Sequence, residues 1–191
     1  MLSVAQVIED TEAEGPGRRF AVWVQGCPLR CAECCNPQML RFEGGTPTEP
    51  LALAERAIAL PNIEGVSLLG GEPFAQAADL AIFARAVRGA GLGVMIYSGF
   101  TLAELREKPE AAELLDACDL LVDGPYDRTR PEPTRRWIGS TNQEVHFLTD
   151  RHRPEDPCWT MPNSFEIRLR KGELVVNGWP ALARSLQKGG E

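Results

Sequence analysis

Apolar and polar positions along the chain fall into two recurring patterns. Short, almost wholly apolar runs are RFAVWVQG (19–26), GVSLLGG (65–71), GVMIYSG (93–99), LLVDG (120–124) and VHFLT (145–149). Between them lie LALAERAIAL (51–60), AQAADLAIFARAVRGAG (75–91) and TLAELREKPEAAELLDA (101–117), whose apolar residues recur at helical spacing, the last interrupted near Pro109. Strands alternating with helices predict βαβ units and a parallel sheet, and strands this apolar predict cover on both faces. The tail departs from the rhythm. FEIRLRKGELVVNGWP (165–180) alternates apolar and polar residues about Lys171-Gly172, which predicts an antiparallel hairpin. Gly89, Gly91 and Gly93 follow a helix instead of opening one, so they read as a C-terminal cap and turn and not as a phosphate loop.

Length limits how far such a sheet can close. The chain has 191 residues, whereas a closed eight-stranded α/β barrel takes about 250, with roughly 200 as a floor. The predicted fold is therefore α/β: a partial (β/α) barrel of about five to six mainly parallel strands. Residues 1–150 would form its core, and 151–191 a C-terminal antiparallel hairpin extension packed on it. An incomplete barrel is expected to leave a lateral opening that admits a loop of a large partner.

Composition narrows the partners. With 27 acidic against 20 basic residues, the net charge is −7, which argues against nucleic acid and anionic membranes, since both favour a basic face. No apolar run is long enough for a transmembrane helix. The opening MLSVAQVIEDTE lacks the basic start and long apolar run of a signal peptide. A cytoplasmic protein is expected. The arginines at 128, 130, 135 and 136, with Arg151 and Arg153 beyond, read as a solvated loop, or else as a dock for an acidic protein. Trp159 and Trp179 read as packing residues, and His146 as a satisfied core histidine.

Six cysteines are unevenly placed. Cys27, Cys31, Cys34 and Cys35 fall within nine residues, at the end of the first predicted strand, while Cys118 and Cys158 stand apart. In a reducing compartment such a cluster binds metal or does redox chemistry more often than it forms disulfides. The CxxxCxxC spacing of Cys27, Cys31 and Cys34 lets three thiolates converge on one centre. An iron–sulfur cubane takes four cysteines, so three leave one iron open to a small molecule. A structural zinc site, with Cys35 or a distant residue as fourth ligand, is the competing reading. Cys35 neighbours Cys34 directly, and adjacent side chains diverge, so it is not expected to join a cubane. Cys118 reads as a core residue; Cys158, in PEDPCWTMP, reads as structural. Gly70-Gly71-Glu72-Pro73 ends the second strand: two glycines allow a ligand close to the backbone, and Glu72 offers an acceptor for an ammonium.

These motifs together resemble a known family. VWVQGCPLRCAECCNP (22–37) is similar to the cluster loop of the radical S-adenosyl-L-methionine (SAM) superfamily, nearest to its short branch of anaerobic ribonucleotide reductase activating proteins. Gly70–Pro73 resembles that superfamily's GGEP, Tyr97-Ser98-Gly99-Phe100 the branch's YTGY, Asp123-Gly124-Pro125-Tyr126 its DGPF, and 139–143 its GSxNQ. The resemblance implies a 4Fe-4S cluster on Cys27, Cys31 and Cys34, whose open iron is chelated by the methionine end of SAM. The backbone of Gly70, Gly71 and Glu72 would hold the amino group, Ser98 the methionyl carboxylate, and Asn142 or Gln143 the adenosyl part. It implies reductive cleavage to a 5'-deoxyadenosyl radical, hydrogen abstraction from a protein or peptide substrate, and a low-potential electron donor, flavodoxin or ferredoxin. A glycyl-radical activase and a maturase of peptide or protein side chains share these features. A non-catalytic iron–sulfur or zinc module is the reading from a different class.

Overall fold

The computed structural model describes residues 1–32, 34–170 and 173–178. Seven strands form one mixed sheet: β1 (Leu2–Thr11), β2 (Arg19–Val24), β3 (Thr46–Thr48), β4 (Gly65–Gly70), β5 (Gly93–Tyr97), β6 (Leu120–Asp123) and β7 (Glu144–Phe147). Their spatial order is β3-β1-β2-β4-β5-β6-β7. Four helices, α1 (Pro50–Ile58), α2 (Ala77–Gly89), α3 (Leu102–Arg106) and α4 (Ala112–Asp116), connect the central strands. A separate hairpin pairs β8 (Phe165–Arg170) with β9 (Glu173–Gly178).

The βαβ expectation holds for the centre only. β2, β4, β5 and β6 run parallel, but β1, β3 and β7 add antiparallel edges. The sheet is not closed, in keeping with an incomplete barrel, but it has seven strands and they are not mainly parallel, which corrects the predicted five to six mainly parallel strands. VHFLT supplies β7, which turns back along β6 because the segment from 124 to 143 contains no crossover helix. β1 escaped the sequence pattern for a local reason. Its register slips between Val4 and Gln6 and again between Ile8 and Thr11, and each irregularity breaks the period-2 alternation by which a strand is read.

Alternation within the central strands divides the two faces of the sheet. Phe20, Val22 and Val24 of β2, Val66 and Leu68 of β4, Val94 and Ile96 of β5, and Leu121 of β6 pack with the helices in the main core. The intervening Ala21, Trp23, Leu69, Met95, Tyr97, Leu120 and Val122 face the other way, where two smaller clusters form. Arg19, 1% exposed, sits on that second face at the start of β2. Its Nε donates to Ser67 Oγ at 3.1 Å, and its other nitrogens reach the carbonyls of Pro16, Val66 and Gly93. Burial lowers its pKa to about 10. Arg19 thus fills the second face of the sheet at the N-terminal ends of β2, β4 and β5.

Helix boundaries follow local signals. Glu49 caps α1, accepting from Ala52 N–H at 2.6 Å, with Pro50 as the first helical residue. Thr101 and Glu104 form a capping box on α3. A 3₁₀ turn at Pro109–Ala111 separates α3 from α4, as expected near Pro109. Gly91, at φ +88°, turns the chain after α2, so the cap reading of these glycines holds. No helix among the described residues is long and apolar enough to cross a membrane.

Candidate active site at the cysteine loop

The parallel strand ends carry the site. After β2 the chain is fastened by Gly26 N–H to Met39 O at 2.9 Å and Cys27 N–H to Leu40 O at 3.3 Å. After β4, Gly71 N–H donates to Val24 O at 2.8 Å and Glu72 N–H to Gly26 O at 2.9 Å. These bonds set the cysteine loop directly against Gly70-Gly71-Glu72. The close approach excludes side chains: a Cβ on Gly71 would lie 2.2 Å from Gly26 O, and one on Gly70, at φ +114°, 2.5 Å from Val24 N. The glycines serve chain-to-chain contact in addition to any ligand.

A cavity of about 460 Å³ opens here on the face opposite the helices. Its walls include Cys27, Cys31, Cys34, Gly70, Gly71, Glu72, Ser98 and Gln143, so eight of the ten predicted site residues converge on it. Pro73 and Asn142 are not on the wall. Pro73 is buried at the start of a 3₁₀ turn, and Asn142 Nδ2 donates to Pro125 O at 2.7 Å.

Glu72 is committed within the protein. It is 1% exposed, and its carboxylate accepts from Ser98 Oγ (3.0 Å), Gly99 N–H (2.9 Å) and Phe74 N–H (3.0 Å). Burial raises its pKa to about 7 in spite of those three bonds. Ser98 Oγ in turn accepts from Phe100 N–H at 3.1 Å. Gln143 is engaged likewise: Oε1 accepts from Gly139 and Ser140 N–H at 3.1 Å each, and Nε2 donates to Gly124 O at 3.0 Å.

Cys27, Cys31 and Cys34 form no disulfide. Burial pushes up the pKa of Cys27 and of Cys31, and the neighbouring thiols and Glu72 add to the effect. Any metal bound there must displace protons. Cys34 Sγ accepts from Asn36 N–H at 3.4 Å, while Asn36 Nδ2 donates to Gly70 O at 3.4 Å. Asn36 thus couples the loop to the β4 end, a role with no sequence signal beyond its place after the cysteines. Among the described residues, one trio has ligand atoms all within 4.8 Å of each other, Asp123, Glu144 and His146, and it contains no cysteine.

The comparison with known proteins decides the family: residues 13–146 match the 4Fe-4S single cluster domain. The chain belongs to that family. It is an enzyme of the radical SAM type. An anaerobic ribonucleoside-triphosphate reductase-activating protein of Vibrio cholerae is 31% identical over 144 residues, 71% of this chain and 91% of that protein. Its Escherichia coli K12 counterpart is 30% identical over 143 residues, 70% and 91% respectively. A pyruvate formate-lyase-activating enzyme of Listeria monocytogenes is 31% identical over 159 residues, 76% of this chain and 62% of that one.

Around this 4Fe-4S single cluster domain, other expected roles can be placed. Cys118 is buried, its thiol donates to Leu120 O at 3.0 Å, and its pKa is pushed well up by burial, in keeping with a core residue. Cys158 and Trp159 pack on the cluster of Met95, Leu120, Val122, Trp137 and Ile138. Trp159 meets Trp137 and Phe147 edge-on at 5.1 and 5.3 Å. Trp179 lies outside the described residues. Cys35 joins the cavity wall. His146 is half-buried, not core, and sets Nε2 2.9 Å from Asp123 Oδ2. The arginine loop is not simply solvated: Arg135 pairs with Glu132 at 2.6 Å, and buried Arg136 stacks 4.2 Å over Trp137. Sequence reading missed Glu14, Trp137 and the β9 residues Val175–Gly178 as cavity walls. They come from loops and edges with no motif of their own.

Proposed function

We propose that the chain is an activase-like radical SAM enzyme acting on a protein substrate. In this reading Cys27, Cys31 and Cys34 hold a 4Fe-4S cluster, and S-adenosyl-L-methionine occupies the cavity beside it. The observation that carries the proposal is the convergence of the three cysteines with Gly70, Gly71, Glu72, Ser98 and Gln143 on one cavity of about 460 Å³. Three sulfur donors on one loop, one fewer than a cubane takes, suit a cluster with an open iron. When bound, the reduced cluster and S-adenosyl-L-methionine supply a 5'-deoxyadenosyl radical that takes hydrogen from the substrate.

The chain's own residues position and shield. Gly70 and Gly71 bring bare backbone up to the methionine end. Glu72 and Ser98 meet it as a hydrogen-bonded pair already locked to Gly99 and Phe74. Gln143 stiffens the wall on the adenosyl side by tying Gly124 to Gly139; Asn142 supports it from behind through Pro125. The Asn36 N–H bond to Cys34 Sγ is of the kind that tunes a cluster's potential. Cys31 and Cys34 are only half-buried, which leaves the cluster open to a low-potential flavodoxin or ferredoxin. The names of the Vibrio cholerae and Listeria monocytogenes relatives favour a glycyl-radical enzyme as the substrate class.

Anaerobic reconstitution with iron and sulfide, followed by dithionite and S-adenosyl-L-methionine, tests this. Iron loading with formation of 5'-deoxyadenosine is expected. Iron loading without that product, or a colourless protein carrying stoichiometric zinc, overturns the reading.

A further inference from the structure

The polar side chains of residues 139–143 are committed to the chain itself. Ser140 Oγ accepts from Asp127 N–H at 3.1 Å, Asn142 Nδ2 donates to Pro125 O at 2.7 Å, and Gln143 Nε2 donates to Gly124 O at 3.0 Å. Gln143 Oε1 meanwhile accepts from the N–H groups of Gly139 and Ser140. Asn142 is off the cavity wall, and both ends of the Gln143 amide serve the backbone. These bonds fasten residues 124–127 from several sides, and the residue they enclose is Tyr126.

Tyr126 stands on the cavity wall with Gln143 and the cysteines. Its ring meets Gln143 over Gly139: a Cβ on that glycine would lie 2.9 Å from Tyr126 Cδ2 and 3.2 Å from Gln143 Oε1. Among the described residues four aromatic side chains line the cavity, Trp23, Tyr97, Tyr126 and Trp137. Trp23 and Trp137 are buried, and Trp137 already carries Arg136 over its ring and Trp159 edge-on. Tyr97 packs into both small clusters of the second face. Tyr126 lies outside all three apolar clusters and is only half-buried, so its ring has surface to offer inside the cavity. An aromatic face presented this way takes another flat π system, and every nucleobase has one.

We propose that Tyr126 is the platform on which the adenine ring of S-adenosyl-L-methionine stacks, and that Ser140, Asn142 and Gln143 act by holding that platform in place. This rests on the radical SAM reading above: with the methionine end at the cysteines, adenine is the aromatic part of the molecule left for the rest of the wall. It gives Asn142 and Gln143 positioning roles toward Tyr126 in place of a direct contact with the adenosyl part.

The test is calorimetric titration of S-adenosyl-L-methionine into the anaerobically reconstituted enzyme. Tyr126→Leu should weaken binding about tenfold or more, the loss of one base–aromatic stack, with iron content unchanged, whereas Tyr126→Phe keeps the ring and should stay within about twofold of wild type. Ser140, wholly buried, can act only through its neighbours: Ser140→Ala should weaken binding severalfold by itself and bring no further loss in the Tyr126→Leu background. Should Tyr126→Leu fail to fold or to load iron, photolabelling of the wild type with 8-azido-S-adenosyl-L-methionine decides, because the label must fall on the peptide that carries Tyr126. Unchanged affinity in Tyr126→Leu, a loss in Tyr126→Phe as large as in Tyr126→Leu, or label only on other peptides overturns the platform. Full additivity of Ser140→Ala with Tyr126→Leu overturns the holding role. A wild-type enzyme that loads iron and never binds S-adenosyl-L-methionine fails at the earlier reading, a separate result.

Discussion

Ser98 Oγ donates to Glu72 Oε1 at 3.0 Å, joining the end of β5 to the end of β4 across 26 residues of chain. The bond belongs to a knot in which one buried carboxylate serves three donors. Glu72→Ala leaves all three unpaired, and each buried orphan costs about 1–3 kcal/mol. A loss of several kcal/mol is expected for Glu72→Ala, against about 1 kcal/mol for Ser98→Ala. Urea unfolding of the two variants checks the ratio.

Cysteine variants separate ligands from neighbours. Cys27→Ala, Cys31→Ala and Cys34→Ala should each abolish iron incorporation on reconstitution, whereas Cys35→Ala should retain it. Iron content and the visible absorption band provide the measurement, and cluster loss with Cys35→Ala would overturn the ligand assignment.

Glycine positions offer a matched pair. Gly71→Ala puts a methyl 2.2 Å from Gly26 O and 2.9 Å from Met39 O, both backbone atoms. It should cost more than about 3 kcal/mol and move the cysteine loop. Gly89→Ala, at the end of α2, meets nothing within 4 Å and should stabilise by about 0.5–1 kcal/mol through helix propensity. Thermal unfolding of both variants tests the contrast.

Glu14 predicts a pH dependence. Burial raises its pKa from 4.5 to about 7, against the bonds from Gly178 N–H and Asn177, with the nearby Glu166 charge adding to the rise. The folded state thus holds its proton after the unfolded chain has released it, so stability falls as pH rises from 4.5 to about 7 and then levels off. Glu14→Gln should remove roughly 1–3 kcal/mol of that fall. Urea unfolding at half-unit steps from pH 5 to 8 measures it; an unchanged slope contradicts the assignment.

The chain sequence alone made the chemistry legible. CxxxCxxC, GGEP, YSGF, DGPY and GSTNQ are local words, each held by a few adjacent residues, and nearly all of them meet at one cavity. The central strands were legible for a similar reason: burial on both faces writes itself as short apolar runs. The edges were not. Bulges blur β1, and β7 reverses direction, since pairing sense depends on how the chain returns and not on the strand's own composition.

Side-chain roles were decided only by tertiary structure. Glu72 reads in sequence as an acceptor for a ligand, and the fold shows that its carboxylate also holds Ser98, Gly99 and Phe74. Arg136 looked solvated and lies over Trp137. Asn177 gave no signal at all, being one polar residue in a hairpin 142 residues away from Cys35; the count becomes irrelevant once β9 folds onto the cavity wall. Sequence by itself determined which atoms can bind a metal, because that capacity resides in the residue type. Which acceptors stay free for a ligand follows from every neighbour's hydrogen bonds, and only the folded chain brings those neighbours together.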